Sequence, residues 1–360
     1  MSHRLFELFF NIGKFLSLTP SSTNNQNPSC VQKLYEISVF LAYLGGRLFL
    51  LITSTDGIFT NLTSIQLVLA IMSITNQFFF ILYIVIIVMR FKRQCWFKLI
   101  QNLATIHDTM RLKWYYITIS MAFIIFVSLE IYHIYTVVEE SGFENFVKTY
   151  LVSDFENYVT FFCSLFIVVI LKLILAKYRQ QDVTLLQITK AKNLLYSKQI
   201  VTILKKTKSN IFILKESVDT FNDIFGWIIL CNIFEAAAKS LIYIDMIIKK
   251  NVTQQNSDVF IFDNVWLFIL WVGILSTIFL CDTILKKVDD ILSQAYKLEA
   301  SFDDLATYET DEVQIFIDVV QHNRPEFKAA RFFSIDRSTL FSVLNSLTTF
   351  LLVMIQFKEN

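Results

Sequence analysis

Of 360 residues, 54% are hydrophobic, 36 are phenylalanine and only 18% are charged, against roughly 45–50% apolar and 25% charged in an average globular chain. Thirty-two Lys and Arg against 31 Asp and Glu leave a net charge of +1, which excludes a large nucleic-acid surface. Seven Gly and three Pro, with neither GxGxxG nor GxxxxGK, exclude the common nucleotide-binding folds. The five cysteines (Cys30, Cys95, Cys163, Cys231, Cys281) form no CxxC pair and no His stands at metal-ligand spacing, so no disulfide framework, metal site or cofactor is expected.

The apolar stretch from Leu5 to Leu18 is interrupted by Glu7 and Lys14 and has no small-residue cleavage site, so it reads as an interfacial segment rather than a signal peptide. A membrane-spanning helix needs about 20 mostly apolar residues. Seven stretches qualify: Tyr35–Thr55, Ile65–Met89, Trp114–Val137, Phe155–Ala176, Ile224–Ile248, Phe262–Leu285 and Arg337–Phe357. The first, holding Glu36 and Arg47, and the last, rich in hydroxyls, are the least clean. The expected fold class is therefore an all-α integral membrane protein of seven transmembrane helices. Its segments are 1–34, a cytoplasmic N-terminal piece; 35–176, helices one to four; 177–223; 224–285, helices five and six; 286–336; and 337–360, the last helix with a short tail.

Orientation follows from Lys and Arg, which stay on the cytoplasmic side. Residues 1–34, 90–113, 177–223 and 286–336 carry 3, 6, 9 and 6 of them, 24 in all, whereas 56–64, 138–154, 249–261 and 358–360 carry 0, 1, 2 and 1. The N-terminus is thereby placed in the cytoplasm and the C-terminus outside. The two N-x-S/T sequons free of proline, at Asn61 and Asn251, fall in loops on the outer side and are candidate glycosylation sites. G-protein-coupled receptors run the other way, so helix count alone does not make this chain one of them.

In 177–223, Val183, Leu185, Leu186, Ile188, Leu194, Leu195, Ile200, Ile203 and Leu204 recur with rough helical spacing. In 286–336, Val288, Ile291, Leu292, Tyr296 and Leu298 do the same. Helices continuing out of the membrane and packing on one another as an assembly region are expected, the other reading being a solvated helix pair. Within the last span, Ser342, Ser346, Thr349, Val353 and Gln356 recur at steps of four and three, which sets them on one helical stripe. Leu340, Leu344, Leu347, Leu351 and Met354 make an apolar stripe beside it. Lipid cannot hydrogen-bond the polar stripe, so it must face protein or water. Close helix packing and pore lining both satisfy that requirement, and the second needs several subunits around an axis.

The run Thr349-Phe350-Leu351-Leu352-Val353-Met354-Ile355-Gln356-Phe357 is similar to the C-terminal signature of insect gustatory receptors, Thr-Tyr, five mostly apolar residues, then Gln-Phe. The segment Phe332-Phe333-Ser334-Ile335-Asp336-Arg337-Ser338 resembles that family's entry into its last helix. The departure is Phe350, where the family usually has Tyr. The resemblance implies a taste chemoreceptor in the plasma membrane, in the dendrite of a chemosensory neuron, working as a ligand-gated non-selective cation channel. It implies a homo- or heterotetramer embedded in membrane lipid, with the last helices around a central pore. Gln356 and Phe357 would then lie near the constriction and Thr349 and Phe350 in the packing of that helix, with the stripe of Val353, Thr349, Ser346 and Ser342 along the pore. Leu351, where sugar-sensing members tend to carry an acid, favours a bitter-type tastant.

Ionisable residues inside spans are costly and tend to be functional or paired. Arg47, Glu130, His133, Lys239, Tyr243, Asp263, Trp266 and Trp271 form the candidate ligand pocket. Glu235 with Lys239, and Glu130 with His133, could instead pair along their own helices, and Trp266 could be a membrane-boundary anchor. The histidines His3, His107, His133 and His322 are dispersed, with no nucleophile elbow or paired-carboxylate motif beside any of them, and no enzyme is expected. The alternative function is a seven-helix chemoreceptor that signals through cytoplasmic partners.

Overall fold

The computed structural model describes residues 11–14, 18–19, 30–53, 64–106, 113–191, 197–248, 257–300 and 307–359. In chain order the elements are α1 (Cys30–Thr53), α2 (Ser64–Leu82), a π-helical continuation (Tyr83–Phe91), α3 (Arg93–Thr105), α4 (Lys113–Ser141) and α5 (Phe143–Thr149). Then come α6 (Leu151–Ala191), α7 (Ser197–Ile248), α8 (Ser257–Ala300), α9 (Thr307–His322), β1 (Lys328–Ala329), β2 (Phe333–Ser334) and α10 (Arg337–Glu359). Among the described residues, α1, α2 with its π-helical end, α4, α6, α7 and α8 are long and apolar enough to cross a membrane. The apolar part of α10, Arg337–Val353, is shorter. Asn61 and Asn251 lie outside the described residues, as do the loops that hold them.

Helix α6 is the spine of the bundle. Val159, Leu171, Ile174 and Tyr178 are fully buried along it, and its main partner is α8, as that of α2 is α7. Aromatic rings fill the centre. Phe126 of α4 stacks on Phe161 of α6 at 4.0 Å and leans on Trp266 of α8 at 5.6 Å. Trp96 of α3 meets Phe166 and Phe225 at 5.3 and 5.4 Å. Each such pair adds about 0.5–1.5 kcal/mol beyond the area it buries. Trp266 is 4% exposed and belongs to this core, which removes the boundary-anchor reading.

At the Lys- and Arg-rich end, α6, α7 and α8 run on well past their most apolar stretches, and α9 packs against α7 and α8. Leu185 and Ile188, Ile200 and Leu204, Val288 and Ile291, and Val313 and Phe316 are buried there at steps of three and four. Val183 and Leu186 face outward, and Leu194 and Leu195 lie outside the described residues. Polar ties join the helices around this core: Lys208 of α7 to Glu312 of α9 at 3.1 Å, Lys287 of α8 to Asp182 of α6 at 3.3 Å, and Lys98 of α3 to Glu216 of α7 at 2.7 Å.

A hairpin that no turn signal in the sequence announces precedes α10. Its strands pair Lys328 with Ser334 and Ala329 with Phe333. Ala330 and Arg331, at φ 50° and 66°, make a left-handed turn without glycine, a geometry that costs non-Gly residues about 1–2 kcal/mol each. Contacts to α7 compensate. Asn222 donates to the Glu326 carbonyl at 2.6 Å and accepts from the Lys328 amide at 3.1 Å. Arg331 pairs with Asp223 at 3.1 Å, and the rings of Phe332 and Trp227 meet nearly perpendicular at 5.7 Å.

Candidate functional site

Helix α10 starts from a built cap. Asp336 accepts the Thr339 amide at 3.2 Å and the hydroxyls of Ser338 at 2.5 Å and Ser334 at 3.0 Å, the geometry of an N-cap carboxylate. The Ser338 hydroxyl bond holds the Asp336 carboxyl below its usual range. Arg337 pairs with Asp282 of α8 at 2.7 Å. The segment that resembles a family entry motif is thus the anchor of this helix.

Beyond the cap, α10 buries one narrow face. Leu340 and Val343 pack on the main core, and Leu347 and Leu351 on a small cluster of Leu69 and Leu241. The expected apolar stripe is therefore shifted: Val343 takes the place of Leu344, which is 45% exposed. The side chains of Met354 and Phe357 lie outside the described residues. Ser342, Ser346, Thr349 and Gln356 are exposed, with Val353 and Phe350 39% and 38% exposed beside them. The hydroxyls of Ser342, Ser346 and Thr349 each donate to the carbonyl four residues back, at 3.0, 2.9 and 2.9 Å. With their protons turned into the helix, these oxygens present lone pairs outward, a neutral face suited to water or cations. A cavity of about 550 Å³ separates this helix from α7, with Leu230, Phe234, Ser342, Ser346 and Phe350 among its lining residues.

In the half of the bundle away from the basic end, Arg47, Lys239, Tyr243, Asp263 and Trp271 take part in a network of buried polar contacts, while Trp266 belongs to the aromatic core. Arg47 of α1 pairs with Glu156 of α6 at 2.5 Å, and Tyr43 donates to the other Glu156 oxygen at 2.7 Å. Glu235 of α7 accepts from Ser73 at 2.7 Å and Asn76 at 3.1 Å and pairs with Lys239 at 3.4 Å. The expected in-helix pair is therefore present, with two partners from α2 added to it. Lys239, His133 and Asp154 all act electrostatically on Asp263, whose carboxylate also hydrogen-bonds Tyr243. Trp271 donates to the Ser240 hydroxyl at 3.0 Å. His133 stacks on Phe262 at 3.9 Å.

Sequence reasoning missed Asp154, Glu156, Ser73 and Asn76. Asp154 and Glu156 flank Phe155 at the start of an apolar run, where acids read as a solvated boundary. Both are buried. Beside this network, a cavity of about 570 Å³ opens between α4, α6 and α8, lined by Ile119, Phe126, Phe161, Trp266 and Gly273, with Lys172 at its basic end. Its walls are almost wholly apolar, the character of a site for a small hydrophobic molecule.

The described residues thus form a nearly all-helical bundle with six helices able to cross a membrane, polar groups buried in one half and a last helix that bears hydroxyls on its exposed face. The sequence profile of the 7tm Chemosensory receptor family matches residues 7–360, and the chain belongs to that family. No curated protein matches it in sequence. Among solved structures it is similar to the insect olfactory receptor OR5 from Machilis hrabei, with a TM-score of 0.64 at 11% identity over 99% of this chain and 98% of that one. It is also similar to the same receptor in complex with eugenol, with a TM-score of 0.62 at 12% identity over 99% of both chains. At these identities the likeness is one of fold.

Proposed function

We propose that this chemosensory receptor is a gustatory receptor working as a ligand-gated, non-selective cation channel, opened by a small tastant of bitter rather than sugar type. The observation that carries the reading is the face of α10: Ser342, Ser346, Thr349 and Gln356 are left uncovered by their own chain. A lone chain in lipid has no use for such a face, whereas four chains around an axis, homomeric or mixed with related subunits, give it water and ions. In that arrangement α10 is the seventh crossing, the basic end lies in the cytoplasm, and the packed extensions of α6 to α9 join the subunits. A ring of Gln356 side chains at the constriction is neutral and offers carbonyl oxygens, which suits weak discrimination among cations. Phe357 follows it.

The tastant site in this reading is the region bounded by Arg47, Glu130, His133, Lys239, Tyr243, Asp263, Trp266 and Trp271, reached from the apolar cavity between α4, α6 and α8. The eugenol complex of the OR5 receptor supports a small organic ligand as the class. The receptor is expected in the plasma membrane of a chemosensory dendrite.

The test is whole-cell recording from cells expressing this chain alone, with sugars and bitter compounds applied to wild type, Gln356→Ala and Gln356→Glu. Ligand-evoked cation current whose permeation changes with Gln356 supports the channel. Surface protein that binds a tastant and yields no current, alone or with related subunits, supports signalling through cytoplasmic partners instead.

A further inference from the structure

We propose that Glu130 and His133 of α4 and Asp154 of α6 form a divalent-metal site, built for zinc. One ligand atom of each lies within 4.8 Å of the other two. All three residues are buried, at 8%, 2% and 9% exposure. Neither ring nitrogen of His133 has a hydrogen-bond partner, and neither do Glu130 Oε1 and Asp154 Oδ2. An imidazole always carries a donor or an acceptor that burial without a partner makes costly, by about 1–3 kcal/mol. Here one atom from each of the three residues stands close to the other two.

The surroundings favour a cation among the three. Asp154 acts electrostatically on Glu130, and Asp263 feels both Asp154 and His133. Three carboxyl groups thus influence one another here, and Lys239 acts on Asp263 as a basic neighbour. The walls hold the imidazole in place. Phe262 stacks on His133 at 3.9 Å and Tyr150 presents its edge or face at 5.7 Å, at an interplanar angle of 78°.

Spacing and donor type select the metal. Tetrahedral zinc, with bonds of about 2.0–2.1 Å, sets its ligand atoms about 3.3 Å apart, and His133 Nδ1 already stands 3.5 Å from Asp154 Oδ1. Glu130, one helical turn before His133, brings a carboxylate oxygen within 4.8 Å of both. One nitrogen and two carboxylate oxygens suit zinc, whereas calcium and magnesium call for six or more oxygens. Three protein ligands leave the fourth position to water. Such a site would clamp α4 to α6 beside the polar network. Sequence spacing missed it because the third ligand belongs to another helix.

The experiment uses the full-length receptor, purified in detergent, stripped with a chelator and titrated with zinc against a chromophoric competitor. In parallel, cobalt is added and its visible spectrum recorded. One zinc per chain is expected, with a cobalt absorption band typical of low coordination number. Glu130→Gln, His133→Gln and Asp154→Asn should each weaken binding at least about 100-fold, beyond the loss that outer-shell changes cause. Zinc should raise the melting temperature of wild type and of none of the variants. Glu130→Gln keeps the side-chain shape, and its elution as a single species of wild-type size separates lost binding from lost folding. Zinc binding equal in wild type and His133→Gln, or none in wild type, overturns the proposal. So does stabilisation of wild type by acid with no response to zinc, which would make protons the occupants. The readout needs no current, so failure of the channel reading leaves this test intact.

Discussion

A Cβ placed on Gly226 of α7 would come within 2.8 Å of the Ala330 amide nitrogen and 3.0 Å of the Lys328 carbonyl oxygen. The hairpin that introduces α10 is seated directly on the backbone of α7, and only glycine permits that approach. Both obstructing atoms belong to the main chain, so no side-chain rotation makes room. Gly226→Ala should lower stability by about 1–3 kcal/mol, the cost of overpacking, read as a fall in the melting temperature of the purified receptor. Gly45→Ala is the control. Nothing lies within 4 Å of the Cβ it would add, and it should be neutral or stabilising by up to about 1 kcal/mol.

Removing one member of the Arg47–Glu156 pair, whose side chains are 10% and 5% exposed, leaves a buried charge alone. Arg47→Ala should cost about 3–5 kcal/mol and lower both surface expression and melting temperature. The double variant Arg47→Met with Glu156→Gln should recover most of that loss. Equal loss in single and double variants would refute the pairing account.

The α10 cap predicts an acid sensitivity of definite sign. The folded-state value of Asp336 is depressed, so its contribution is complete above the unfolded carboxylate value of about 3.9. It is lost as pH falls through the depressed folded value. Asp336→Ala should cost about 0.5–2 kcal/mol at neutral pH, and Asp336→Asn, which also caps, far less. As pH falls below about 3.9 the wild type should begin to lose the advantage it holds over Asp336→Ala, as followed by thermal melting.

The exposed and packed faces of α10 make a periodic prediction. In a Cys30→Ser background, cysteines at 342, 346 and 349 should react readily with a water-soluble thiol reagent on the assembled receptor. Cysteines at 343, 347 and 351 should be protected. A rate profile without helical period would exclude a water-lined face.

Periodicity made much of the architecture legible in advance. The steps that set Ser342, Ser346 and Thr349 on one stripe survive in the helix, because a period of three and four residues is a property of the helix itself. The apolar stripe was misphased by one residue, at Leu344 against Val343, because hydropathy ranks leucine and valine alike while packing against α7 does not. Residues such as Arg47 and Lys239 stood out because a charge inside an apolar run is conspicuous. Their partners did not. Glu156 and Asp154 sit beside a boundary where acids are ordinary, and Ser73 and Asn76 matter only once α2 lies against α7. The hairpin could not be read at all, since its turn uses Ala330 and Arg331 where glycine or asparagine would have signalled it.

Helix α7 has 52 residues and no break, which at about 1.5 Å per residue makes a rod of roughly 78 Å. Lys239, near one end, reaches the buried polar network, and Lys208, near the other, holds Glu312 of α9. A hydrogen-bonded helix resists torsion far better than a chain of side-chain contacts does. On such a rod Glu235 and Lys239, the hairpin seat at Gly226 and Lys208 at the basic end are strung along one unbroken backbone, with no loop between them.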